Sequence, residues 1–61
     1  MESGQKVTFL TEFRKERGVV KGLCDDEDYV FVVYNCGGNW GNYENYTAEK
    51  TRVDDLKLGW K

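Results

Sequence analysis

A small all-β domain is predicted by three observations on this 61-residue chain. Tyr29-Val30-Phe31-Val32-Val33-Tyr34 is an unbroken run of residues that favour extended backbone. Gly, Asn and Asp divide the chain into short segments roughly every 8–12 residues, the spacing of a small sandwich or barrel. No stretch carries the apolar stripe that an amphipathic helix would bury. At this length two useful sheets do not fit, so a five-stranded barrel is the expected architecture, because closure removes exposed edges. One domain spans 1–61, with an ordered core over about 7–60.

The elements follow in order. Met1 to Lys6 is polar and reads as a frayed end. Val7-Thr8-Phe9-Leu10 is β-branched and aromatic, a short first strand. Thr11 to Gly18 is highly charged and its one apolar residue is Phe13, so a long charged loop with at most one helical turn is expected. Val19 to Cys24 is the second strand, and Gly22 inside it marks a bulge or bend. Asp25-Asp26-Glu27-Asp28 has turn chemistry and joins strands two and three in a hairpin. Tyr29 to Tyr34 shows no polar alternation, which predicts a central strand covered on both faces.

Asn35 to Asn45 is a Gly- and Asn-rich loop carrying Trp40 and Tyr43. Tyr46-Thr47-Ala48 reads as a fourth strand with Glu49-Lys50 turning, followed by Thr51-Arg52-Val53 and the segment to Trp60. The expected core is Phe9, Val20, Val30, Val32 and Leu56, with Val30 and Val32 sharing a face by the period of two.

The order of these features resembles the SH3-like small barrels, in particular their Tudor and KOW branches. The resemblance rests on Gly18-Val19-Val20-Lys21-Gly22 opening the second strand, on Asp28 to Tyr34 as the third, and on Val53-Asp54-Asp55-Leu56 turning into the last. It covers residues 7 to 58 and implies a five-stranded SH3-like barrel. The acidic hairpin tip departs from the KOW pattern, which carries basic residues there. Barrels of this kind resemble bacterial or phage accessory proteins. The fold hosts many functions, so the resemblance assigns no activity.

Composition restricts the function. There is no His and Ser3 is the only serine, so no Ser–His–Asp arrangement can be built and a cysteine nucleophile lacks its usual base. No enzyme is expected. Two cysteines without Cys-x-x-Cys spacing give no zinc site, and the run Asp25–Asp28 lacks EF-hand spacing, so no metal and no cofactor are expected. Cys24 and Cys36 could close one disulfide, but two cysteines are a weak sign of a secreted scaffold, and reduced thiols of a cytoplasmic protein are the favoured reading. No apolar run approaches the ~20 residues of a membrane span.

Two binding readings remain. Tyr34, Trp40, Tyr43 and Tyr46, with Trp60, are candidate anchors for a protein partner or a second copy of the chain, since Trp and Tyr dominate interface hot spots. The competing assignment for these rings is closure of one end of a barrel too small to fill itself with aliphatics. Arg14, Lys15, Arg17 and Lys21 are candidate phosphate contacts of a nucleic-acid-binding accessory domain. The net charge of −2 leans against that reading, because phosphate neutralisation supplies most of such affinity.

Overall fold

The computed structural model describes all 61 residues. Five antiparallel strands form one sheet: β1 (Lys6–Leu10), β2 (Lys15–Leu23), β3 (Tyr29–Val33), β4 (Glu49–Arg52) and β5 (Leu56–Leu58). Their order in the sheet is β4-β3-β2-β1-β5. The two edge strands are therefore consecutive in the chain, joined only by the 3₁₀ turn Val53–Asp55. Three residues reach about 10 Å at most, so the sheet must curl until its edges approach each other. The five strands and the final turn lie within the all-β architecture that the sequence predicts.

Each face of the sheet has its own buried set. On the inner face Val7, Val20, Val30, Val32 and Leu56 form one cluster, with Phe9, Tyr34 and Val53 packed against it. Four of the five expected core residues are thus buried, and Phe9 stands half-buried at the cluster's margin. On the outer face Thr8, Val19 and Val33 are buried, as is Cys36 just beyond β3. Val32 and Val33 are neighbours on opposite faces and both are wholly buried. Coverage of β3 on both faces holds there and fails at Phe31, which is 37 % exposed. The centre of the sheet is β2, with β3 beside it.

The predicted loop over Thr11–Gly18 shrinks to Thr11–Arg14, a turn closed by the Thr11 amide on the Arg14 carbonyl at 2.9 Å. β2 starts at Lys15 because Lys15, Glu16, Arg17 and Gly18 pair with Leu10, Phe9, Thr8 and Val7. Long-range pairing overrides the weak β propensity of these charged residues. Gly22 does mark an irregularity, since the β2–β3 register shifts between Val20 and Gly22. The fourth strand is Glu49–Arg52 and not Tyr46–Ala48, so the predicted Glu49-Lys50 turn is strand. Its pairing with β3 places Thr51 opposite Val30, and Thr51 is the buried position of the strand. The N-terminal residues are tied down rather than frayed. The Gly4 amide donates to the Val20 carbonyl at 2.7 Å, and the Val20 amide donates to the Gln5 carbonyl at 2.9 Å.

Candidate functional site

The segment between β3 and β4 is folded. Gly37 and Gly38 take φ of +61° and +83°, a region open to glycine, and reverse the chain. A 3₁₀ helix then runs Trp40–Asn45 and packs on β2. The Lys21 ammonium donates to the Tyr46 carbonyl at 2.7 Å, fastening the far end of the segment to β2. Tyr43 places its hydroxyl 3.5 Å from the Ser3 hydroxyl. These residues, with the chain after β5, cover the outer face.

Trp60 is held from two sides. The buried Thr8 hydroxyl donates to the Gly59 carbonyl at 2.8 Å and accepts from the Lys61 amide at 2.9 Å, clamping the residues on either side of Trp60 to β1. The indole N–H donates to the Gly18 carbonyl at 3.0 Å. A Cβ at Gly18 would stand 2.5 Å from Val32 Cγ1, so only glycine lets β2 and β3 approach as they do here.

Trp40 and Trp60 meet with ring centroids 5.1 Å apart at an interplanar angle of 55°. Lys6 and Arg17 lie over the Trp60 ring, 4.7 and 5.7 Å from its centroid. Lys15, Glu16, Arg17, Tyr34, Trp40 and Lys61 line an adjoining concavity of about 420 Å³. The chain makes two ion pairs, Arg14–Glu16 and Arg52–Asp54. Glu16 is thus already matched, whereas Lys6, Lys15, Arg17 and Lys61 have no carboxylate partner. Four unpaired cations around a pair of indoles give an acidic protein one electropositive face.

The sequence-predicted residues divide. Trp40 and Trp60 come together, and Lys15 and Arg17 join them. Tyr43 and Tyr46 are half-buried parts of the cover. The Lys21 ammonium is occupied by a carbonyl. Arg14 lies over the Phe9 ring at 5.4 Å and pairs with Glu16, so it serves the inner-face margin. Tyr34 bridges the two regions: it lines the basic concavity and also meets Phe9 edge-on at 6.0 Å.

The Tyr34 hydroxyl sits 2.7 Å from the Thr51 hydroxyl. Burial pushes the Tyr34 phenol above the ordinary value of 10.0, the Thr51 hydrogen bond partly offsets this, and the charges of Glu49 and Glu16 add to the rise. Lys6 and Lys61 were not legible as site residues. Lys6 lies in the stretch that reads as a frayed end, and nothing local in the sequence brings Lys61 beside Trp40.

A second concavity, of about 310 Å³, opens at the inner-face margin between Phe9, Tyr29, Tyr34 and β4. Lys50 lies over the Tyr29 ring at 4.7 Å there. The most exposed large apolar side chain is Phe13, at the β1–β2 turn. Cys24 and Cys36 are free thiols. No three His, Cys, Asp or Glu residues are placed to hold a metal ion together. No helix is long and apolar enough to cross a membrane. Comparison with family models, with curated proteins and with solved structures finds no match to this chain.

Proposed function

We propose that this chain is a small non-catalytic binding module that engages a protein partner through the Trp40–Trp60 face. The observation that carries the reading is the tilted, touching indole pair with Lys6, Lys15, Arg17 and Lys61 around it, none of them ion-paired. Trp and Arg are the residues whose burial contributes most at interface centres. Thr8, Gly18 and the 3₁₀ helix fix the rings in advance, which lowers the ordering cost of association. Free thiols at Cys24 and Cys36 suit a reducing cytoplasm.

The test is capture of cell proteins by immobilised wild-type chain and by the Trp40→Ala variant, with fold retention checked by circular dichroism. A partner held by the wild type and released by a folded Trp40→Ala variant supports the reading. Equal capture by both sinks it. The second reading, a nucleic-acid accessory domain, draws on the same unpaired cations. It requires affinity that falls steeply with salt for any single strand, irrespective of sequence.

A further inference from the structure

We infer that the Trp40–Trp60 face takes an acidic peptide segment, seated with a carboxylate between Lys6 and Arg17 and a side chain in the adjoining concavity. The inference rests on the binding-module reading and names the chemistry of the partner.

Lys6 and Arg17 are diagonal neighbours on the outer face, since Thr8 pairs with Arg17 and Lys6 with Val19. Both lie over one indole, and no acid separates them. Two like charges crowded on one ring repel each other, and an anion between them relieves that repulsion as it binds. Arg17 supplies a planar fork that matches a carboxylate with two parallel hydrogen bonds. Its contact with Trp60 restrains the fork before the ligand arrives, so less side-chain entropy is lost on binding. Lys15 and Lys61 extend the positive field along the concavity of about 420 Å³, which is the scale of a few side chains.

The alternative anion is a phosphate backbone. Single-strand binders present open ring faces on which bases stack. Here Trp60 is already engaged by Trp40 and by two cations, so a base would have to displace those contacts to stack on it. The remainder of the chain also repels a long polyanion: the net charge is −2, and Asp25 to Asp28 form an exposed acidic tip. A short acidic segment meets the basic face alone.

The test uses the full chain and its own indoles. Both tryptophans of the sequence sit at this face, so their fluorescence reports its occupancy. The titrants are a short synthetic Glu/Asp-rich peptide with one leucine, its Gln/Asn counterpart, and an oligothymidylate of equal charge. The expected result is saturable quenching or a shift with the acidic peptide alone, weakened by salt and by about tenfold or more in Lys15→Gln/Arg17→Gln. Both side chains are exposed, so the double variant should stay folded, its melting temperature lowered only by the loss of the Arg17 contact with Trp60. Arg17→Lys should restore only part of the affinity, since it keeps the charge and loses the fork.

Tighter binding of the oligothymidylate than of the peptide overturns the inference in favour of the nucleic-acid reading. Equal response to the Gln/Asn peptide overturns it as well, because charge would then play no part. If a captured partner depends on Trp40 but the acidic peptide neither binds nor competes, the binding-module reading stands and this inference fails. If no partner is captured but the acidic peptide binds as described, the inference stands and the protein-module reading must be revised.

Discussion

The two faces of this sheet are buried by different means. The inner face is closed chiefly by its own strands: Val7, Val20, Val30, Val32 and Leu56 pack together, with Phe9, Tyr34 and Val53 against their margin. The outer face buries Thr8, Val19, Val33 and Cys36 beneath elements that the sheet does not contain, namely the 3₁₀ helix Trp40–Asn45 and the chain around Trp60. Aliphatic residues fill the inner face because β-branched side chains pack well on a pleat. The outer face is closed by large half-exposed rings tethered through hydrogen bonds. A cover of that kind excludes water on one side and presents a surface on the other. The contrast therefore places the aliphatic core on the inner face and the proposed recognition surface on the outer.

The largest effect is expected where the two faces share a backbone position. Gly18→Ala inserts a methyl 2.5 Å from Val32 Cγ1 and 3.0 Å from the Val33 carbonyl, and it disturbs the strand carbonyl that holds Trp60. Overpacking of this kind should cost about 3 kcal/mol, a large part of the stability of so small a domain. A lower denaturation midpoint at unchanged m-value is the readout. Val32→Ala should cost about 2 kcal/mol, and Val33→Ala less, because the outer cover can settle onto the smaller side chain. Equal losses for the two valines would erase the distinction between the faces.

Tyr34→Phe sharpens the comparison at the margin between them. It removes the hydroxyl pair with Thr51, while Thr51 keeps the Glu49 carbonyl as an acceptor. A loss of about 1 kcal/mol is expected. The same residue predicts an alkaline limit. The Tyr34 phenol is raised above 10.0 chiefly by burial, so the folded chain holds this proton more firmly than the unfolded chain. Its contribution is fully present below pH 10, and it is lost as pH rises from 10 through the higher folded value. Thermal melts from pH 8 to 11 should show that decline in the wild type and a shallower one in Tyr34→Phe.

A comparably small stability change is expected on the proposed recognition side. Trp40→Ala should cost about 1 kcal/mol, below the 3–5 kcal/mol of a fully buried ring, while abolishing partner capture. A chain that unfolds on losing Trp40 would make the outer cover a second core and leave no surface for recognition.

The inner face was legible in the sequence, and the outer was not. Val20, Val30 and Val32 announce themselves by composition and by the period of two. The turn Val53–Asp55 before the last strand was legible only through the resemblance of Val53-Asp54-Asp55-Leu56 to the closing turn of SH3-like barrels. Lys15, Glu16 and Arg17 hide a strand, because their pairing with β1 is a long-range fact that local propensity cannot carry. Glu49 and Lys50 hide the start of β4 for the same reason. In the candidate site, Trp40 and Trp60 stood out as rings. Their meeting, and the arrival of Lys6 and Lys61 beside them, depend on the Thr8 clamp and on two positive-φ glycines. Those are consequences of long-range contacts across the sheet and have no local signature.

One further consequence lies in the edge strand β4, whose four residues are Glu49, Lys50, Thr51 and Arg52. Two copies that join their sheets edge to edge about a two-fold axis must set one residue of this strand opposite its own counterpart. Centred on Lys50, the pairing opposes lysine to lysine. Centred on Thr51, it opposes Lys50 to Arg52 twice. Centred on Glu49 or Arg52, it opposes each of those charges to itself. Like charges directly opposite one another destabilise a ladder, so every symmetric register along this strand is penalised. Sequence parity thus guards the open edge against its own kind, and it does so without a proline, a bulge or a covering loop.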